Sequence, residues 1–230
     1  MAGEEKVKTY FHQQAQRFDT IYEDNKSLWQ KIVDRVFHQV VKDRFDLTFL
    51  KLGEIKGKTV LDVGCGSGRY ALEFARRGAD KIVGIDFAQA MIDLANSYAN
   101  DLPEKGKCSF LCGDFMNHDF KEQFDYSVAM GLFDYLTNPS DYLARIKGLT
   151  RGKIIASFPK RWTWRTPIRK TRLLLANCQV YFYSKRDIER LVKGNKISDY
   201  DIVNLSRDFI LIARIGEKNE KADLPTKEPR

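Results

Sequence analysis

VLDVGCGSGRYALEF, residues 60–74, decides the fold. It sets three glycines, Gly64, Gly66 and Gly68, on alternate positions between an apolar run and a stretch of helical spacing. An apolar run of that length fits a strand buried on both faces. A backbone that gives up its side chains at the following turn admits another molecule at close range. Outward from this stretch the same alternation repeats. KTVLDV (58–63), KIVGID (81–86), CSFLCG (108–113), FDYSVAMG (124–131) and KIIASF (153–158) read as strands. Helices are predicted over 69–77, 88–99, 139–148 and 184–192, with Pro139 in a first turn and Ser184 as an N-cap. ISDYDIVNLSRD (197–208) and FILIARI (209–215) read as a closing antiparallel pair. Strands that alternate with helices argue for an α/β fold with a mostly parallel sheet. In such sheets ligands sit beyond the carboxyl ends of the strands, near the reversal of strand order.

Residues 5–17 and 27–52 read as helices. The second opens on Ser27-Leu28-Trp29-Gln30, a capping-box pattern, and Gly53 ends it. The connection from Pro159 to Tyr183 is longer than the structureless links usual in compact domains. It contains TPIRKTRLLLA, which reads as a short helix. The sequence therefore divides into an N-terminal helical lid (1–53), a core (54–215) with a basic insertion (159–183), and a polar tail (216–230) expected to be disordered.

The chain has 230 residues and 43% hydrophobic composition, enough for a real core. It has no long apolar stretch and starts with a charged segment, which argues against a membrane span and a signal peptide. Its four cysteines, Cys65, Cys108, Cys112 and Cys178, form no CxxC pair; buried strand thiols are expected at 108 and 112, and a reduced cytoplasmic compartment follows. The net charge is +8 and unevenly spread: Tyr142 to Arg186 holds twelve Lys and Arg and no Asp or Glu. So local an imbalance points to an anionic partner, whether an acidic small molecule, a nucleic acid or a lipid surface touched peripherally. The oligomeric state is left open.

The glycine spacing does not fit a dinucleotide loop, which needs G-x-G-x-x-G, nor a phosphate loop, which needs Gly-Lys-Ser/Thr at its end. Asp62-x-Gly64-x-Gly66-x-Gly68 after a strand resembles instead the first motif of class I S-adenosylmethionine-dependent methyltransferases. Asp86 at the end of the second strand and Asp114 after the third extend the resemblance. It implies a Rossmann-like seven-stranded, mostly parallel sheet with helices on both faces. It also implies S-adenosylmethionine as cofactor and S-adenosylhomocysteine as product. By the same resemblance Asp86 takes the ribose hydroxyls and Asp114 the adenine amino group, with Phe115 near the ring. Phe87 and Met91 line the adenine slot. Gly64, Cys65, Gly66 and Gly68 face the amino-acid end, and Met130 and Gly131 hold the methionine part. A carboxylate suits the ribose because it accepts two hydrogen bonds.

The sulfonium methyl is already electrophilic, so alignment of the acceptor opposite the sulfur is the main requirement. A base is needed only for an acceptor protonated at working pH, and His12 is the candidate. Tyr10, Phe11 and Tyr22 lie in the segment that resembles the lid of small-molecule members. Neither an N/D-P-P-Y/F signature nor the Asp-Asn pair of metal-dependent catechol-type enzymes is present, so no metal is expected. The stretch from 153 to 191 resembles magnesium-protoporphyrin methyltransferases, from which it departs at Leu175-Ala176-Asn177-Cys178. That resemblance implies an acidic or amphipathic small-molecule acceptor, held by Trp162, Arg165 and Arg169 with Lys160 and Arg161 nearby. The same basic, Trp-rich insertion also suits an RNA strand, by stacking and phosphate contacts. RTPIRKTRLLLA on anionic lipid is a third reading.

Overall fold

The computed structural model describes residues 42–161 and 180–216. The described chain runs α1 (residues 42–52), β1 (Thr59–Val63), α2 (Arg69–Arg76), β2 (Lys81–Asp86), α3 (Gln89–Asn100), β3 (Cys108–Cys112), β4 (Phe124–Ala129), α4 (Pro139–Gly148), β5 (Thr150–Pro159), α5 (Lys185–Gly194), β6 (Asp199–Asn204) and β7 (Asp208–Arg214). One seven-stranded sheet has the order β3-β2-β1-β4-β5-β7-β6. Its first five members pair in parallel, while β7 runs antiparallel to β5 and β6 antiparallel to β7. The sheet is wound outward in both directions from β1, which pairs with β2 on one side and β4 on the other. A crevice opens at the carboxyl ends of such a pair. Among the described residues no helix is long and apolar enough to cross a membrane.

Local chemistry sets the start of two helices. Pro139 fills the first turn of α4, where a missing N–H costs nothing. Ser184 caps α5 in a reciprocal box with Asp187. Side chains that alternate along the strands feed two cores. Leu61, Val63, Phe124 and Ile154 pack with Leu143 and Ile146 of α4 and Ile188 and Val192 of α5. Val60, Ile82, Val128 and Ile155 pack with Phe49 and Leu52 of α1 and Phe74 of α2. The described end of the predicted N-terminal lid is thus part of the core.

Two expectations need correction. Cys108 is half-buried and Cys112 exposed, because β3 is the edge strand and only one of its sides is covered. Strand β5 starts at Thr150, three residues earlier than the apolar run. Its polar opening is held by Thr150 Oγ1, 2.6 Å from both Ser127 Oγ and the Ile146 carbonyl.

The flanks of the basic insertion are tied to the sheet. Arg161 N–H donates to the Tyr183 carbonyl at 3.0 Å and Tyr183 N–H to the Pro159 carbonyl at 2.8 Å. Lys160 N–H donates to the Arg207 carbonyl at 3.0 Å, and Tyr181 N–H to the Asp134 carbonyl at 2.8 Å.

Candidate functional site

The glycine loop is latched to the neighbouring strand. Gly64 and Cys65 N–H both donate to the Ile85 carbonyl, at 2.8 and 3.1 Å. Gly66 N–H donates to Asp86 Oδ2 at 2.9 Å, and Ala88 N–H to Asp86 Oδ1 at 2.9 Å. The Asp86 carboxylate therefore bridges the loops after β1 and β2. Two glycines serve different ends. Gly68, at φ 79°, leaves no room: an added Cβ would stand 2.9 Å from the Phe110 ring and 3.1 Å from the Ala95 Cβ. Gly66, at φ 52°, has nothing among the described residues within 4 Å of an added Cβ. The first lets α2 pack against α3 and β3; the second leaves the loop approachable. Cys65 turns its side chain inward, and burial pushes its thiol pKa up. It contributes backbone to the loop and is a poor nucleophile.

A buried acid, Asp62, and a half-buried one, Asp86, stand behind this loop. Asp62 lies on the α1/α2 side of β1 and is 1% exposed, and its Oδ2 has no hydrogen-bond partner among the described residues. Burial, and then the charge of Asp86, push its carboxyl up to about 7, against the pull of the Ala71 N–H. Burial also raises Asp86, against the N–H groups of Ala88, Gly66 and Phe87. Among the described residues these two desolvated carboxylates have only backbone donors and no counter-cation. A ligand that carries a positive charge along the glycine loop would supply one, so the residues fit such a ligand.

The ends of β3 and β4 close the crevice. Asp114 is exposed; its Oδ1 accepts from Met116 N–H at 2.9 Å and its Oδ2 from Asn117 Nδ2. Gly113 N–H donates to the Asp86 carbonyl at 2.9 Å, which ties this end to β2. The Phe115 ring points into the core, 5% exposed, against Phe120 and Tyr142. Phe87 and Met91 gather with Ala88, Ala90 and Leu94 in a small separate apolar cluster. Met130 is half-buried, and Gly131 N–H donates to Ser157 Oγ at 2.8 Å. Leu132 reaches across, its Cδ1 3.2 Å from where a Gly64 Cβ would stand. The structure thus gathers Asp62, Gly64, Cys65, Gly66, Asp86, Met130 and Gly131 at the ends of β1, β2 and β4, with Asp114 at the third rim.

Sequence reasoning missed Arg44. Its Nη1 lies 4.0 Å from the Cβ position at Gly131, and its Nε donates to Asp208 Oδ2 at 2.7 Å. Asp208 is 1% exposed and the Arg44 side chain 17%. Nothing local marks either residue: the pair spans 164 positions and forms only when β7 inserts beside β5. Lys160 and Arg161 are engaged, the first with the Leu205 carbonyl and the Phe209 ring, the second with Asp187. His12, Tyr10, Phe11, Tyr22, Trp162, Arg165 and Arg169 lie outside the described residues. Among the described residues no three His, Cys, Asp or Glu side chains gather as a metal would require.

Residues 60–152, which hold the glycine loop and all three acids, match a family described as a methyltransferase domain. The chain carries a methyltransferase domain. Its fold is the Rossmann-like one of class I S-adenosylmethionine-dependent methyltransferases. The crystal structure of magnesium protoporphyrin IX methyltransferase from Synechocystis with bound SAH (S-adenosylhomocysteine) shares it, with a TM-score of 0.71 over 91% of this chain and 98% of that one, at 22% identity. The domain is also similar in sequence to the magnesium-protoporphyrin O-methyltransferase of Rhodobacter capsulatus, 42% identical over 87 residues, 37% of each chain. A tRNA U34 carboxymethyltransferase of Marinobacter nauticus is 29% identical over 123 residues, 47% of this chain and 33% of its own. The chain spans about a third of the length of these two curated relatives.

Proposed function

We propose that the protein transfers a methyl group from S-adenosylmethionine to an acidic or amphipathic small molecule by direct in-line displacement, without a metal. The observation that carries the cofactor reading is the pair of desolvated carboxylates, buried Asp62 and half-buried Asp86, behind an approachable glycine loop. S-adenosylmethionine supplies an electrophilic methyl on a sulfonium, together with an ammonium group. Asp62 answers the ammonium. Asp86 accepts from the ribose hydroxyls with lone pairs left over from Gly66 and Ala88. Asp114 accepts from the adenine amino group, and Phe87 and Met91 cover the base. Backbone at Met130 and Gly131 borders the methionine part, where the Arg44 guanidinium offers charge to a carboxylate. The Phe115 side chain, sunk in the core, supports the adenine side from beneath.

Asp62 makes the reading testable by pH. Its folded pKa, about 7, lies above the ordinary 3.8. Its contribution to stability is therefore complete below about 4 and lost as pH rises toward about 7. An ammonium beside it reverses the preference and favours the ionised form. Binding of S-adenosylhomocysteine near pH 6–7 is expected to release up to about one proton. Calorimetry in buffers of different ionisation enthalpy measures this, and Asp62→Asn is expected to abolish it. A binding enthalpy independent of buffer removes Asp62 from the site.

The acceptor reading rests on the cation-rich stretch 142–186 and on the relatedness to a magnesium-protoporphyrin O-methyltransferase. His12 is the base where the acceptor must lose a proton, and Tyr10, Phe11 and Tyr22 with Trp162 enclose it. Similarity to a tRNA-modifying relative favours RNA as a second reading. Incubation with methyl-labelled S-adenosylmethionine and cell extract, followed by separation of small acids from RNA, decides between them. Label in an acidic small molecule is expected; label confined to RNA overturns this acceptor class. Gln at Arg165 and Arg169 together is expected to lower acceptor turnover at least about tenfold, the scale of a lost charged contact, with cofactor affinity unchanged. Unchanged turnover excludes both arginines from the acceptor wall.

A further inference from the structure

The connection from β3 to β4, residues 113–123, carries Asp114 and contains no helix. A segment without helical bonding must find outside donors for its buried carbonyls. Its only turn is closed by Asn117 and His118 N–H, which donate to the Asp114 carbonyl at 3.1 and 3.0 Å. The Phe115 and His118 carbonyls are taken by a single side chain from another element. Arg145 of α4 donates from Nε to the Phe115 carbonyl at 2.9 Å and from Nη2 to that of His118. Its guanidinium carbon also lies 5.5 Å from the centroid of the Phe115 ring. A planar fork with fixed donors can bridge two carbonyls, which a lysine ammonium cannot do in the same way. Arg145 thus grips the turn at the residue directly after Asp114, while the buried Phe115 ring pins it from the core side.

We propose that Arg145 is a positioning residue for recognition of the cofactor's base: it fixes the turn that presents the Asp114 carboxylate, and so sets preference for a purine that bears an exocyclic amino group. This rests on the reading of Asp114 as the acceptor for that amino group. Met116 N–H and Asn117 Nδ2 orient the carboxylate from within the turn, and Arg145 orients the turn.

The test compares dissociation constants of S-adenosylhomocysteine and S-inosylhomocysteine, which has an oxygen in place of the amino group. Wild type is expected to prefer the adenine ligand by about tenfold or more, and Asp114→Asn to lose or invert that preference. Arg145→Gln and Arg145→Lys are expected to cut the preference below about threefold, with affinity for the inosine ligand held within about twofold. No preference in wild type refutes the Asp114 reading and the inference with it. A preference lost in Asp114→Asn but kept in both Arg145 variants overturns the inference and leaves the Asp114 reading standing. Equal loss of affinity for both ligands also overturns it, since a purely structural role would act that way. Should the Gln variant not fold, the Lys variant carries the test, with amide exchange as a second readout. Faster exchange at Asn117 and His118 with unchanged β1 and β4 supports positioning; uniform acceleration across the sheet overturns it.

Discussion

Asp86→Ala is expected to weaken S-adenosylhomocysteine binding by about 3 kcal/mol or more, at least roughly 100-fold. The effect is large because one carboxylate serves two purposes. It holds Gly66 N–H and Ala88 N–H, and so fixes the glycine loop against the start of α3. It is also the acceptor proposed for the ribose. Removal strands two backbone donors and takes away the sugar's partner together. Asp86→Asn separates the contributions. It keeps one acceptor oxygen for the loop and gives up charge that burial already disfavours. Its fold should therefore be tolerated, with a loss of about tenfold in affinity. Calorimetric titration of both variants checks the pair. Wild-type affinity in Asp86→Ala would take this residue out of the site.

Alanine at Gly68 and at Gly66 is expected to give opposite outcomes. At Gly68 the new methyl meets Phe110 and Ala95 in a left-handed backbone. The left-handed conformation costs about 1–2 kcal/mol and the overpacking about 1–3 more. Stability should fall by about 2–5 kcal/mol, a drop in Tm of roughly 5–15 °C for a domain of this size. At Gly66 only the backbone penalty is expected, about 1–2 kcal/mol, because no described residue stands within 4 Å of the methyl. That space is where the cofactor is proposed to lie, so affinity there should fall by more than about tenfold. Thermal melts with and without S-adenosylhomocysteine distinguish the two. A stable Gly68→Ala beside an unfolded Gly66→Ala contradicts the geometry.

The strands next to β1 were legible because each is a short apolar run covered on both faces. KIVGID coincides with β2 residue for residue. Helix ends were legible where one residue decides them, at Pro139 and Ser184. Edges were harder to read. Cys112 sits in an apolar-looking run but on the sheet's margin, and Thr150 enters β5 through a hydroxyl pair rather than through hydrophobicity. At the site, Asp62, Asp86 and Asp114 were legible as candidates because each falls at or near the carboxyl end of a strand: Asp62 is next to last in β1, Asp86 is last in β2, and Asp114 follows β3. Arg44, Asp208 and Arg145 were not. Their meaning lies in pairings across 164 and 30 positions that no local pattern encodes. Phe115 shows the remaining difficulty: position after an acid said which turn it occupies, but not which way the ring faces.

The main-chain bonds at Pro159, Arg161 and Tyr183 close the sheet on both flanks of the basic insertion. A closed stem of this kind works as a socket. The ladder from β5 to β7 is made by residues 153–159 and 208–214, without a residue from inside the intervening stretch. If the proposed acceptor wall lies in that stretch, a grafted segment from a different methyltransferase is expected to change acceptor preference and leave cofactor affinity unchanged.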